Sequence, residues 1–309
     1  MQTVSRKKPL AVMMSARANV FYLQYAKVCQ DGDRVVYWVN DDGTGKAFNI
    51  PDKNTAFVML GKGTSITDAA ARKLAESGVL VGFCGNGGSP LFSTVSHVFL
   101  EPHSEYRPTE YMQRWVKLWF DESARFAAAK IILIERIGIT KNFWVSLHGI
   151  EIPLQMEERF KSRIETASNT TELLTSEAEW AKGVYATLAR KYKISDFTRQ
   201  EGKGSVASNS DAVNGMIDHG NYIAYGYAAT VLTTLGISYA LPLLHGKTRR
   251  GALVFDVADL IKDAVVLPMA FKFAAKGESD QEFRYALIDL CWEQRILDLL
   301  FETIKKLVP

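Results

Sequence analysis

The periodicity of the chain changes once, and that change sets what it can fold into. Before residue 100, apolar residues come in short β-prone runs. Residues 20–25, 34–39, 55–60 and 79–83 are the clearest of these. Asp31-Gly32-Asp33 and Asp41-Asp42-Gly43-Thr44-Gly45 are turn sequences between such runs, so the early chain reads as a hairpin or meander. One helix interrupts it over residues 69–77, with Thr67 as its N-cap and Gly78 at its end. Residues 101–108 carry two prolines and mixed charge, a break in the pattern. Beyond them the spacing is helical, beginning with Tyr111, Trp115, Leu118 and Trp119. The expected fold class is α+β, with a β-rich domain over 1–103 and an all-α domain over 104–309.

With 309 residues, 47% of them hydrophobic and 23% charged, the chain can bury an ordinary core. Its net charge of +3 means that any nucleic-acid surface has to be local. Cys29, Cys84 and Cys291 are far apart and lack metal-ligand spacing. A disulfide framework is not expected, which fits a reducing cytoplasm. The basic stretch from Met1 to Lys8 is not followed by a signal-peptide core, and no apolar run reaches membrane-spanning length. Gly61 and Gly63 precede the first helix, and Gly85, Gly87 and Gly88 mark a later turn. Neither group has the spacing of a nucleotide-binding loop.

Residues 243–262 carry the densest chemistry. His245 ends an apolar run, the basic turn with Lys247, Arg249 and Arg250 follows, and Asp256 and Asp259 come next. Two acids three apart share a helix face, and imidazole with carboxylate suits magnesium or manganese. The plainer reading has Asp256 as the N-cap of a helix starting at Val257, with His245 a satisfied core histidine. Glu177 falls in an otherwise apolar helical stripe with Leu173, Ala181, Val184 and Leu188. A carboxylate there needs a partner, either a metal or a buried cation; Glu179, off that stripe, should be solvated. Arg190, Lys191, Lys193, Arg199 and Lys203 form a basic cluster that is either a solvated face or a path for a phosphate backbone. His219 and Asp218 are adjacent and should diverge. Residues 213–226 and 228–235 read as successive helical stretches, and residues 281–307 as one final packing helix.

Four passages taken together resemble the CRISPR-associated adaptation integrases, the Cas-one family. They are Gly63-Thr64-Ser65-Ile66-Thr67 with Ala70 and Arg72; Glu177 with Val184-Tyr185 and Ala189-Arg190-Lys191-Tyr192; Asp211-Ala212-Val213-Asn214 with Tyr225-Gly226-Tyr227; and Leu244-His245-Gly246-Lys247 with residues 253–259. The phrases around Tyr22 and Glu135-Arg136 are similar to the type I-F branch. The family's glutamate is often followed by glycine, where this chain has Ala178.

The resemblance implies a β-rich dimerisation domain and a helical catalytic domain. It implies a Mg2+ or Mn2+ site of Glu177, His245 and Asp259, with Asp256 supporting it. DNA contacts are expected from Lys247, Arg249, Arg250, Arg190, Lys191 and Arg72. It further implies a homodimer that works on prespacer and repeat DNA with a second adaptation protein, in this branch fused to a helicase-nuclease. The chemistry would be attack of a DNA 3′-hydroxyl on a phosphodiester at the repeat boundary, or nicking when water replaces the hydroxyl. Two other readings compete. A DNA-binding scaffold would need no metal, and an iron-carboxylate oxidase would want a second histidine at helical spacing, which is not found around His245.

Overall fold

The computed structural model describes residues 19–308, apart from 42–43, 86–97, 101–108, 201–207 and 247–250. The break read near residue 103 and the turn over 85–88 therefore lie wholly or largely outside the described residues. The chain divides into two compact units, one running to Phe83 and resuming at Phe99, the other holding the later helices.

The first unit has two four-stranded sheets. The first joins β1 (Asn19–Leu23), β5 (Thr55–Leu60), β7 (Leu80–Phe83) and β8 (Val98–Leu100), in that order. Its β1–β5 and β5–β7 pairs are parallel. The second joins β4 (Thr44–Ile50), β3 (Arg34–Asp41), β2 (Ala26–Asp31) and β6 (Ser65–Ile66). The turn residues 31–33 and 41–45 join its antiparallel pairs β2–β3 and β3–β4, the meander read from the sequence. The chain crosses between the sheets at Tyr25, whose φ of 50° ends β1 early. The Tyr25 N–H donates to the Lys62 carbonyl at 2.9 Å. Gly63 has to be small here, since a Cβ on it would lie 2.6 Å from the tyrosine ring. Val28, Val35, Ile50 and Leu74 are fully buried between the second sheet and α1 (Asp68–Glu76). Thr67 caps α1 by accepting from the Ala70 N–H at 3.3 Å.

The second unit is all helical among its described elements. α2 (Thr109–Phe120) leads into α3 (Glu122–Phe143), which ends in a π-helical turn, Trp144–His148. α4 (Leu154–Thr166) and α5 (Thr170–Tyr192) follow, then α6 (Asn209–Thr234), α7 (Ala252–Ile261), a second π-helical turn (Lys262–Val266) and α8 (Leu267–Lys276). α9 (Asp280–Glu293) and α10 (Ile296–Leu307) close the chain. The single final helix read from the sequence is broken at Arg295, whose φ is 51°. α6 runs unbroken through Gly226. Its Gly220 serves close packing, because a Cβ there would meet Val266 at 2.5 Å. α7 is buried at nearly every position, and Trp115, Trp144, Trp180, Phe271, Phe283 and Phe301 are among the largest fully buried side chains.

Candidate metal centre

α7 sets the site. Leu253, Val254, Val257 and Ala258 have no exposed surface, and Asp256 and Asp259 are buried among them. A buried carboxylate costs several kcal/mol unless it is paired, so each needs identified partners.

Asp256 is fully engaged. Its Oδ2 accepts from the Leu243 and Leu244 N–H groups at 2.6 and 3.2 Å. Its Oδ1 accepts from the His245 N–H at 3.2 Å and lies 2.6 Å from His245 Nδ1. The capping reading of Asp256 is therefore corrected. α7 begins at Ala252, three residues before the apolar run ends at Phe255 and behind Gly251 in the left-handed region, so Asp256 sits inside the helix. Its role is to fix residues 243–245 and to hold the imidazole by Nδ1, which leaves Nε2 as the nitrogen able to bind something else.

Asp259, one turn on, has Lys262 Nζ 2.6 Å from its Oδ1 and Arg136 Nη1 3.9 Å from its Oδ2. The Lys262 approach is an ion pair without hydrogen-bond alignment, so buried Oδ1 has no aligned donor. Glu177 comes from α5 and is also largely buried, ion-paired to Arg136 Nη1. Arg136 comes from α3, with its Nε 2.7 Å from Asp263 Oδ2. Asp263 sits on the second π-helical turn. Trp180 Nε1 donates to the same Oδ2 at 2.8 Å, and Trp144 Nε1 donates to the Asp263 carbonyl at 2.7 Å.

Four carboxylates, Glu177, Asp256, Asp259 and Asp263, thus meet two cations, Arg136 and Lys262. With His245 neutral, the cluster carries two uncompensated negative charges. The charges of these groups act on one another. Burial pushes the Glu177 carboxyl above its ordinary value, although Arg136 beside it pulls the other way. Burial opposes ionisation of Asp259 too, but Lys262, Arg136 and His245 outweigh it and hold the group at about 2. Burial also opposes charging of His245, and Asp256, Asp259 and Glu177 together raise its pKa nonetheless.

An imidazole and two carboxylates with two charges to neutralise fit a divalent cation by donor type and by charge. The arrangement itself is a cation-paired one. Among the described residues, no group of three or more His, Cys, Asp or Glu side chains is placed to hold a metal. Glu177 and Asp259 would have to exchange Arg136 and Lys262 for the ion.

The other candidates are scattered. Lys247, Arg249 and Arg250 lie outside the described residues. Arg190 lines a cavity of about 490 Å³ between α4 and α5. Glu179 is exposed, as expected off the apolar stripe, and is ion-paired on that cavity's wall to Arg159 and Arg163, the latter at 2.6 Å. Lys191 Nζ donates to the Gly149 carbonyl at 3.3 Å. Arg72 pairs with Asp68 at 2.8 Å on exposed α1. Arg199 is not an open cation, since Asp218 and Asn214 hold it. His219 diverges from Asp218 and binds Asp280 at 2.7 Å. Arg136, Lys262 and Asp263 were missed as site residues. The signal for Arg136 was present: it falls at helical spacing from Ile132, Leu133 and Thr140 on the buried face of α3, the same reasoning that singles out Glu177.

Comparison with known proteins agrees with this architecture. The profile of the family described as CRISPR associated protein Cas1 matches residues 21–292. The CRISPR-associated endonuclease Cas1 of Pseudomonas aeruginosa is 42% identical over 99% of this chain and 97% of its own length. The CRISPR-associated endonuclease Cas1 of Pectobacterium atrosepticum is also 42% identical, over 95% and 93%. Among solved structures, a TtCas1–DNA complex superposes with a TM-score of 0.67 at 22% identity, covering 94% of this chain and 91% of that one. A casposase bound to its integration product gives the same TM-score at 15% identity, covering 94% and 90%. These two establish likeness of fold. The long match of the family profile and the two full-length relatives establish more: this chain belongs to the Cas1 family of CRISPR-associated proteins.

Proposed function

We propose that the protein is a metal-dependent DNA endonuclease and integrase that inserts spacer DNA into a CRISPR array. One observation carries the reading. Glu177, His245 and Asp259, which come from α5, the loop before α7 and α7 itself, share one buried cluster in which carboxylates outnumber cations by two when His245 is neutral. The endonuclease names of its relatives and the DNA-bound and integration-product structures of its fold neighbours support the same class.

Glu177, His245 Nε2 and Asp259 would hold Mg2+ or Mn2+, which supplies polarisation of a phosphoryl oxygen and stabilisation of the charge that develops there. The residues of this chain do the rest. Asp256 keeps the His245 ring turned with Nδ1 inward. The apolar walls of α7 exclude water. Contacts to DNA phosphates would come from Lys247, Arg249, Arg250, Arg190, Lys191 and Arg72. The 3′-hydroxyl oxygen of the incoming strand forms the new P–O bond, and the 3′-oxygen of the cut strand leaves and takes up a proton. Bond count is conserved, so no nucleotide is consumed. When water replaces the hydroxyl, the product is a nick.

The β-rich part, 1–103, would build a homodimer, supported by Trp38 and Phe48, which are exposed on its second sheet. The helical part, 104–309, would be catalytic. A second adaptation protein, in this branch fused to a helicase-nuclease, would join two dimers in the cytoplasm. No described helix is long and apolar enough to cross a membrane.

The Arg136–Glu177 pair also supports a second reading, a DNA-binding scaffold in which Glu177 is structural. Glu177→Ala separates the two. It should abolish joining of a 3′-end to repeat DNA in the presence of Mg2+ or Mn2+ while leaving DNA affinity nearly intact, because a ligand to the ion is worth several kcal/mol in the transition state alone. Integration at the wild-type rate would leave the scaffold.

A further inference from the structure

Arg136 is the least expected member of the cluster. It is a fully charged guanidinium with 5% of its surface exposed, and its planar fork faces three carboxylates at once. The contacts are unequal. The Nε edge is tied to Asp263, and Asp263 is itself fixed by the Trp180 and Trp144 indoles. The Nη1 end pairs with Glu177 and lies 3.9 Å from Asp259. One end of the side chain is therefore anchored, and the other neutralises two residues that would bind the ion.

We propose that Arg136 is a resident counter-cation that competes with the divalent ion for Glu177, and that Asp263 is the anchor that limits this competition. The proposal rests on the metal reading above and adds to it a positioning residue that the sequence reading did not assign. Without metal, Arg136 keeps the buried Glu177 carboxylate neutralised and in place. When an ion takes Glu177, the guanidinium keeps its bond to Asp263 and the ion replaces its charge at Glu177, so neither carboxylate is left without a counter-charge. Lys262 has the matching relation to Asp259, but it is tethered three residues away on the same rod. Arg136 arrives from a different helix, so its removal changes the charge without cutting α7.

The experiment uses the full-length protein and manganese chloride as the probe. Isothermal titration gives the affinity, and thermal melts with and without Mn2+ give the gain in Tm. Arg136→Met keeps bulk and removes the charge. It should bind Mn2+ roughly tenfold tighter or more, the scale of one buried charge acting on a divalent ion at a high effective dielectric. It should also melt lower without metal and gain more on adding it. Arg136→Lys, which restores the charge, should return the affinity towards wild type. Asp263→Asn frees the guanidinium to commit to Glu177 and Asp259, so Mn2+ should bind several-fold more weakly. A purely structural Arg136 gives the opposite sign: Arg136→Met then loses metal or binds it unchanged, which overturns the proposal. If Arg136→Met does not fold, Asp263→Asn decides, and affinity equal to or above wild type overturns it. Failure of the underlying reading looks different. Wild type then shows no Mn2+ binding, or Glu177→Gln binds as tightly as wild type, and the proposal falls with it.

Discussion

Asp256→Ala is the most informative single change for the architecture of the site. In the native protein this carboxylate accepts three backbone N–H groups, from Leu243, Leu244 and His245, and contacts the His245 ring. Leu243 and Leu244 are 3% and 6% exposed, so water does not readily replace what alanine removes. A buried donor left unsatisfied costs about 1–3 kcal/mol. Two of the three donors are in buried residues and the third is partly buried, which puts the loss at about 3–5 kcal/mol, among the larger effects of single substitutions. The ring also loses the contact that fixes its orientation, so Mn2+ affinity should fall by roughly 10- to 100-fold, as for other second-layer carboxylates behind a liganding histidine. Urea denaturation reads the first quantity, titration with Mn2+ the second. Amide exchange at Leu243 and Leu244 locates the damage, since both should lose protection before the amides of α7. A variant with wild-type midpoint and wild-type exchange at these amides would refute the account of Asp256 as the anchor of the 243–245 segment.

Other expectations follow from the same geometry. His245 has a raised pKa, so its paired, charged form stabilises the metal-free protein below the ordinary histidine value, and that contribution is lost as pH rises through the raised one. Comparing wild type with His245→Gln between about pH 6 and 8.5 should show a stability difference that shrinks with rising pH. Mn2+ affinity should run the other way, falling as pH drops, because the bound ring has to be neutral. Gly220→Val would drive a side chain into Val266 and Phe283 and should destabilise by about 1–3 kcal/mol by overpacking; an unchanged denaturation midpoint would show that α6 and the second π-helical turn yield easily. Lys191→Ala should make the salt dependence of DNA binding shallower by about one unit, and an unchanged slope would remove Lys191 from the path of the DNA.

Much of the order of the fold is legible in the sequence because burial imposes its period directly. The α+β succession, Thr67 as a cap and Glu177 as an anomalous carboxylate all come from local pattern. What local pattern does not carry is partnership between distant segments. β1 pairs in parallel with β5, more than thirty residues on, and nothing in either run says so. β2 and β4 hold Lys27, Asp31, Lys46 and Asn49 and read as polar; their strands exist because β3 pairs with both. Asp256 was misread because α7 starts at a left-handed glycine with no side-chain cap, so an apolar run hides the helix start. Arg136 was legible as a misplaced charge on α3, but its three carboxylate partners belong to other elements. The final helix breaks at Arg295 without glycine or proline to mark it.

The two indoles that bind Asp263 give the protein an optical handle. Of its six tryptophans, Trp180 and Trp144 donate to that one residue, and Trp180 lies one helical turn from Glu177. Any rearrangement of charge around Asp263 acts on the dipoles of both excited rings, while Trp115 and Trp119 donate instead to the Leu241 and Pro242 carbonyls. The emission of the unlabelled protein therefore carries a component that belongs to the site, and time-resolved fluorescence of Trp144→Phe and Trp180→Phe variants can isolate it.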